Sequence, residues 1–475
     1  MFYRIKKPYR LCGFEDNKYL LDYCDDSGFI CPISHEAFCL LNKCDGTVNS
    51  DITNFSSKEQ KQIKEYLKGG ILEELAAPSP LDRWQKYKHF KNRRVLAAMW
   101  AITGKCNYQC RHCFAVSEKG SSHNEEFTLD QALYVIKQLV SCGIRNVYLT
   151  GGEPLVHPYF YEIVQSILDN ELNLERIYTN GRFLTQEVLN MLRAQGTCPE
   201  IVISFDGIGT HDWMRNSQGA EETTIRAIST SIQNEFKVCC AVNINRVTYA
   251  TACDTAHFLY KLGVRNIFFI RTSEAPKWAS EDERLSITWE EFFGLSINIT
   301  KAMLNEIRND LTLRFFNTFR ITPNLRYKKV DVELNTKVNL SASAWCTKAQ
   351  NVIFIASDGR VLPCDAFEGA SLASNILCTD NNIKERPLLD ILVNSEYSSI
   401  MNLSLRDILE HNPDCSKCAY WYMCRGGFCR ASGLLNYFER NETREIRKDG
   451  LTSTSQQCDF FLGGFYENLV NYSYQ

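Results

Sequence analysis

The fold follows from two consecutive segments of the sequence, VLAAMWAI at 95–102 and CNYQCRHC at 106–113. The first is an apolar run that predicts a strand, and the second places three cysteines on one tight loop behind it. Iron–sulfur clusters are held by cysteine thiolates, usually four of them, so three ligands would leave one iron of a cubane cluster open. A zinc site or three unrelated thiols are the alternatives, but zinc sites prefer paired C-x2-C knuckles and four ligands.

Strand and helix patterns alternate from residue 95 to about residue 275. One helix is predicted from Thr128 to Cys142, because a Thr128…Gln131 capping box opens it. Strands separated by helices imply a parallel sheet of βαβ units, either an open barrel or a doubly wound sheet. The predicted strands are 96–102, 146–150, 176–179, 201–205, 237–243 and 266–270. Ligands bind at the C-terminal ends of such strands, so the cysteine loop is expected on the functional rim.

The second predicted strand ends in Thr150-Gly151-Gly152-Glu153-Pro154. Two glycines allow the backbone to approach a ligand closely. Their free N–H and C=O groups could bind a small zwitterion, and Glu153 is expected to fix the turn.

The cysteine loop after the first strand and the GGEP turn after the second together resemble the radical S-adenosylmethionine (SAM) enzymes, over about residues 95–275. The resemblance implies that Cys106, Cys110 and Cys113 bind a [4Fe–4S] cluster whose open iron is chelated by SAM. It also implies SAM contacts for further residues: Gly151, Gly152 and Glu153 at the methionine amine, His112 beside the adenine, Ser204 and Asp206 near the ribose, and Arg271 at the carboxylate. His112 replaces an aromatic residue usual in the family. For Asp206 and Arg271, salt bridges at the rim are an open alternative.

A second cysteine set in the C-terminal part resembles the SPASM extension, which carries two auxiliary iron–sulfur clusters. Its members are Cys346, Cys364, Cys415, Cys418, Cys424, Cys429 and Cys458. The order in that family assigns Cys415, Cys418, Cys424 and Cys458 to one cluster. The other three would hold the second cluster with one iron open, unless Cys378 fills the gap. The gap between Cys424 and Cys429 is one residue longer than usual, and Cys415-x2-Cys418 taken alone would favour a zinc ribbon.

The first 80 residues predict a separate unit. A hairpin signal joins 19–23 to 29–31, a short helix is predicted at 34–42, and cap signals open a second helix at 56–68. This winged-helix-like pattern resembles the PqqD-like peptide-recognition element, which implies binding of a leader peptide by strand addition. A DNA-binding winged helix is the alternative, but no helix rich in Arg and Lys is present.

The predicted fold class is α/β, with five segments. They are the winged-helix-like unit at 1–80, a linker at 81–94, a partial (β/α)6 radical SAM barrel at 95–285, a bridging region at 286–344 and the SPASM domain at 345–475.

Composition narrows the class of protein. With a formal net charge of −3 over 475 residues, there is no global electrostatic case for nucleic acid or membrane partners. No apolar run approaches the ~20 residues of a membrane span, and no signal peptide is evident, so a cytoplasmic protein is expected. In a reducing compartment, 21 cysteines favour metal binding over disulfides.

The sequence therefore predicts a radical SAM maturase with SAM and three [4Fe–4S] clusters. Its expected partners are a precursor peptide and an external electron donor of flavodoxin or ferredoxin type. The expected product is a thioether crosslink, formed when a peptide cysteine at the open auxiliary iron captures a carbon radical. Carbon–carbon crosslinking, epimerisation or side-chain oxidation are alternatives within this architecture, and a zinc-containing DNA-binding regulator is the alternative outside it. No catalytic base is predicted.

Overall fold

The structure is a computed structural model. It describes residues 1–23, 30–49, 55–113, 125–272, 276–316, 318–326, 329–334, 351–368, 380–424, 431 and 458–473.

The N-terminal unit contains two small sheets. Its strands are β1 (Phe2–Ile5), β2 (Tyr9–Phe14), β3 (Asn17–Tyr23), β4 (Ile30–Pro32), β5 (Asp45–Asn49), β6 (Leu72–Leu75) and β7 (Lys88–His89). One sheet has the order β5-β1-β6 and the other β4-β3-β2-β7. Strand β7 comes from the segment predicted as a linker and pairs in parallel with β2. The predicted linker thus contributes to the N-terminal fold.

Two helices complete this unit, at His35–Lys43 and Ser57–Lys68. The Ser34 side chain caps the first, and Ser56 and Glu59 form a capping box at the second. Both predicted helices and the antiparallel pairing of β3 with β4 are confirmed. The connection between the two predicted hairpin strands, residues 24–29, lies outside the described residues.

A central sheet follows, with strands β8 (Ala97–Thr103), β9 (Asn146–Gly151), β10 (Asn173–Thr179), β11 (Glu200–Ser204), β12 (Val238–Ile244), β13 (Asn266–Arg271), β14 (Thr312–Phe315), β15 (Phe319–Asn324), β16 (Lys329–Leu334), β17 (Val352–Ile355) and β18 (Val361–Leu362). From β8 to β14, each strand is parallel to its neighbour. Strand β17 adds in parallel beside β8, and β15, β16 and β18 extend the edges in antiparallel fashion.

After the N-terminal unit, the described residues form helices at Leu129–Ser141, Phe160–Asp169, Gln186–Ala194, His211–Arg215, Ala220–Gln233, Arg246–Tyr249, Ala252–Leu262, Pro276–Ala279, Trp289–Ala302, Leu304–Asn309, Leu388–Asn394, Glu396–Met401, Leu405–His411, Trp421–Cys424, Asp459–Leu462 and Phe465–Ser473. Short 3-10 helices lie at Pro154–Val156, Glu283–Leu285 and Pro413–Lys417. Within the described ranges, no helix combines the length and apolarity that a membrane crossing requires.

The two faces of the sheet differ. Alternate residues such as Ile203, Phe269 and Phe315 join one large core with the surrounding helices. Their sequence neighbours point the other way, because successive strand side chains alternate between faces. We call this second side the inner face. It carries polar and aromatic residues, and its upper end, at the carboxyl ends of the strands, meets the cysteine loop.

All six predicted barrel strands are confirmed, as is the α/β class. Two further parallel strands, β14 and β17, come from the segments predicted as the bridging region and the SPASM domain. Each has four residues, too few for a clear alternation of apolar and polar positions. The helix Trp289–Ala302 begins with a capping box between Thr288 and Glu291, and a second helix starts at Leu304.

A buried ion network joins the N-terminal unit to the barrel. Asp22 on β3 is 1% exposed, with its carboxylate 2.7 Å from Arg10 and 2.7 Å from Arg94. Arg94 lies just before β8, and Arg10 Nη2 also donates to the Gly143 carbonyl at 3.0 Å. Nearby, Arg145 stacks over the Trp84 ring at 4.2 Å. These contacts fix the unit against the barrel, because a buried carboxylate is costly to leave without its partners.

Candidate functional site

The cysteine loop lies directly behind β8. Cys106, Cys110 and Cys113 converge in one small apolar cluster with Tyr108 and Ala220. A backbone bond from Cys113 N–H to the Cys110 carbonyl tightens the turn, and the Tyr108 N–H donates to Cys106 Sγ at 3.4 Å. Burial raises the pKa of the Cys106 thiol to about 11. A bound metal would reverse that shift, since coordinating thiols are deprotonated.

The GGE turn after β9 holds the cysteine loop by its backbone. Gly152 N–H donates to the Thr103 carbonyl at 2.8 Å, and Glu153 N–H donates to the Lys105 carbonyl at 2.9 Å. A Cβ atom at Gly152 would lie 2.4 Å from the Lys105 oxygen. The glycines were predicted to let the backbone approach a ligand; in the structure, Gly152 lets it approach the residue that precedes Cys106.

Replacing Gly152 with alanine should displace the loop, because the obstructing atom is backbone and cannot rotate away. We expect a loss of about 1–3 kcal/mol in unfolding free energy and reduced iron retention. Gly294→Ala is the matched control, since its helix position has nothing within 4 Å of the added Cβ. Urea unfolding and iron analysis of both variants test this, and equal iron content in the two would contradict it.

Glu153 links the ends of three elements. Its fully buried carboxylate accepts hydrogen bonds from Thr179 Oγ1 at 2.8 Å, Asn180 N–H at 2.8 Å and Leu155 N–H at 3.2 Å. Burial raises its pKa to about 7, against the effect of these donors. Asn180 in turn donates through Nδ2 to Asn107 Oδ1 at 2.8 Å, inside the cysteine loop. The predicted role of Glu153 in fixing the turn agrees with this geometry.

Asp206 forms a buried ion pair beneath the loop. It follows β11, is fully buried, and has Oδ2 2.7 Å from Arg215 Nη2. Its Oδ1 accepts hydrogen bonds from the backbone and side-chain amides of Asn243, both at 3.2 Å. Burial alone would raise the pKa of Asp206, but the Arg215 guanidinium holds it far below its usual range. Arg215 Nη1 also reaches Cys110 Sγ at 3.5 Å, so the pair supports a cysteine of the loop.

The other predicted SAM contacts occupy three places. His112 Nε2 lies 3.1 Å from Asn243 Nδ2, and burial lowers the pKa of this histidine to about 3. Ser204 is half-buried at the end of β11. Arg271 ends β13, where its Nε donates to the Ile287 carbonyl at 2.7 Å and its guanidinium lies over the Trp289 ring. Their contacts with SAM stay predictions.

Polar atoms on the loop itself fit a bound polar group. Asn107 Nδ2, the Tyr108 hydroxyl and His112 Nδ1 are all buried, and none has a hydrogen-bond partner among the residues described. Buried polar groups are normally satisfied, so three such atoms within six residues call for an explanation. An iron–sulfur cluster on the three cysteines, with a zwitterionic ligand bound to it, would supply hydrogen-bond partners for these three atoms.

Five cysteines of the second set are described by the structure. Cys364 follows β18 and is buried, Cys415 and Cys418 lie on and after the 3-10 helix Pro413–Lys417, and Cys424 ends a short helix. Burial raises the pKa of Cys458, and the neighbouring Asp459, Cys415 and Cys418 raise it further. Cys458 thus interacts electrostatically with Cys415 and Cys418, and the binding of one cluster by these cysteines stays a prediction. Cys346, Cys378 and Cys429 lie outside the described residues.

Several residues of the site were not predicted. They are Asn107, Asn180, Arg215 and Asn243. Asn180 directly follows the third barrel strand, just as the GGE turn follows the second. Its place at the carboxyl end of a strand could therefore have indicated a role in the site. Arg215 lies on the short helix His211–Arg215, and no local pattern marks it.

Two domains match known families. Residues 100–259 match the radical SAM superfamily, and residues 346–419 match the SPASM iron–sulfur cluster-binding domain. The chain therefore contains a radical SAM domain, on the parallel barrel that carries the cysteine loop, followed by a SPASM domain. SAM and iron–sulfur clusters are the cofactors of such domains.

Two curated proteins and one solved structure illustrate what the chain is similar to. It is 27% identical over 357 residues to the AdoMet-dependent heme synthase of Methanosarcina barkeri, covering 74% of this chain and 96% of that protein. It is 24% identical over 266 residues to the sporulation killing factor maturation protein SkfB of Bacillus subtilis, covering 55% and 58%. The fold is similar to that of Streptococcus suis SuiB bound to precursor peptide SuiA, with TM-score 0.67 and 14% identity over 95% of this chain and 100% of SuiB.

Proposed function

We propose that this protein is a radical SAM peptide maturase that installs cysteine thioether crosslinks in a ribosomally made precursor peptide. The observation that carries the proposal is the similarity to SuiB, which covers 95% of this chain and was solved with its precursor peptide. Similarity to the SkfB maturation protein supports it. The heme synthase alignment covers 74% of the chain and leaves the rest without a counterpart there.

The N-terminal unit would dock the leader. Its three-stranded sheet has β5 and β6 as outer strands on either side of β1. An outer strand offers unpaired backbone N–H and C=O groups on one side, to which an extended peptide can add. The short helix Ser57–Lys68 carries lysines together with Glu59 and Glu65, which suits a peptide better than DNA.

Three [4Fe–4S] clusters are proposed. Cys106, Cys110 and Cys113 would hold the first; Cys415, Cys418, Cys424 and Cys458 the second; and Cys346, Cys364 and Cys429 the third. When bound, the clusters and SAM supply an electron and the radical that removes hydrogen from an unactivated carbon. The protein orients this chemistry: Glu153 and Asn180 fix the loop, while Asp206 and Arg215 support it from beneath. Each crosslink would form one C–S bond: the carbon would give a hydrogen atom to the SAM-derived radical, the peptide thiol would lose a proton, and the remaining electron would pass to an auxiliary iron–sulfur cluster.

Co-expression gives the direct test. The protein is produced anaerobically with a short precursor peptide encoded beside it, and the peptide is analysed by mass spectrometry after alkylation. We expect loss of one pair of hydrogens per crosslink and one cysteine no longer alkylated, because its sulfur is now bonded to carbon. A peptide that loses hydrogens while all its cysteines still alkylate would contradict thioether formation and favour carbon–carbon crosslinking.

Heme formation is the second candidate function. It is favoured by one observation, the alignment over 96% of the Methanosarcina heme synthase. Measuring heme in anaerobic cells that express the protein distinguishes the two candidates. A rise in heme together with an unmodified peptide would replace the peptide proposal.

A further inference from the structure

The inner face of the barrel carries charged side chains in the middle of the sheet. Strand pairing places Tyr148, Arg176 and Glu200 side by side on β9, β10 and β11. It also places Ala241, Phe268 and Arg314 side by side on β12, β13 and β14. The pairing of Val202 with Cys239 connects the two rows, so all these side chains share one face.

The carboxylate of this cluster is already occupied. Glu200 accepts a hydrogen bond from Arg176 Nε at 2.8 Å and another from Asn266 Nδ2 at 3.0 Å. The Arg176 guanidinium also stacks over the Tyr148 ring at 5.0 Å. Glu200 and Arg176 therefore neutralise each other.

Among the described residues Arg314 forms no ion pair, and the Glu200 carboxylate that acts on its charge is already bound to Arg176. Its Nη2 donates to Cys239 Sγ at 2.9 Å, and its guanidinium lies 5.0 Å from the Phe268 ring centroid. Its Nε is buried and without a hydrogen-bond partner, and no carboxylate of the described residues forms an ion pair with it. An arginine side chain cannot shed its proton, so this guanidinium keeps its charge in a partly desolvated place. Such a charge is costly unless an anion pairs with it.

We propose that Arg314 binds a carboxylate of the substrate inside the barrel, namely an aspartate or glutamate side chain of the precursor peptide. This rests on the proposed peptide function and deepens it. The two Nη groups of a guanidinium form a fork that matches the two oxygens of a carboxylate. Phe268 and Tyr178 are half-buried on the same face and provide apolar contact for the rest of the residue. Arg314 is then a specificity residue, because it favours peptides that carry an acidic residue at the position facing it.

The test compares Arg314→Gln with Arg265→Gln in reconstituted holoprotein. Arg265 is exposed and paired with Asp310 at 2.6 Å, so its loss removes one positive charge outside the barrel. Each acidic residue of the peptide is also replaced in turn by its amide. Binding is measured by fluorescence anisotropy of labelled peptide and turnover by mass spectrometry.

We expect Arg314→Gln to weaken peptide binding about tenfold or more, as for loss of a charge-assisted pair, and Arg265→Gln to leave it unchanged. One amide substitution in the peptide should weaken binding to the unsubstituted protein equally, and should cost nothing further in Arg314→Gln. If Arg314→Gln fails to fold in thermal melts, Arg314→Lys, which keeps the charge but loses the fork, takes its place with a smaller expected loss.

The outcomes separate this inference from the proposed function. A peptide that is modified but binds equally well to both variants would overturn the carboxylate site alone. Additive losses from the protein and peptide substitutions would also overturn it, because the two groups would then not touch. A peptide that is neither bound nor modified by the unsubstituted protein would overturn the proposed function itself.

Discussion

Replacing Cys106, Cys110 and Cys113 together with alanine is expected to abolish SAM cleavage and to remove about a third of the bound iron. The three thiols converge in one cluster behind β8 and are the ligands proposed for one of three equal clusters. The described downstream cysteines lie on other elements than this loop, so their iron should remain. The barrel should stay folded, because its core consists of other residues.

Iron and sulfide analysis, with an assay for SAM cleavage, measures this. Cys39→Ala with Cys198→Ala is the matched control, because both thiols are exposed and belong to neither ligand set. An unchanged iron content in the triple variant would contradict the ligand assignment. Complete loss of iron would contradict the assignment of separate clusters to the downstream cysteines.

Replacing Asp206 with asparagine is expected to destabilise the fold by about 3–5 kcal/mol. The substitution keeps the size of the side chain but leaves the buried Arg215 guanidinium without the carboxylate that now lies 2.7 Å away. Because Arg215 also contacts Cys110, cluster retention should fall with stability.

Urea unfolding under anaerobic conditions measures the loss. Glu222→Gln is the control, because it breaks the exposed pair with Arg226 at 3.1 Å, which is worth about 0.5 kcal/mol or less. Adding Arg215→Met to Asp206→Asn should restore part of the stability, since the uncompensated charge is removed. Equal losses for Asp206→Asn and Glu222→Gln would show that the buried pair contributes no more than a surface pair.

Local patterns were enough to predict much of this architecture. The apolar run before Cys106 and the turn Gly151-Gly152-Glu153 mark two strand ends, and parallel topology brings such ends together. Pairing between distant side chains could not be predicted. Nothing near Asp206 indicates that Arg215, on the next helix, neutralises it. The same holds for Arg314, whose neighbours Phe268 and Cys239 depend on the register of the strands. Short strands such as β17 were missed because four residues carry too little periodicity.

The Asp22 network bears on which residue of a bound peptide would be modified. Because Asp22 pairs with Arg94, just before β8, and Arg10 donates to the Gly143 carbonyl, the N-terminal unit is held against the barrel. A leader docked there starts the core peptide from a fixed origin. The number of residues between the leader and the modified position then determines which residue reaches the barrel. Inserting residues into this spacer should therefore shift the modification along the peptide by the same number of positions.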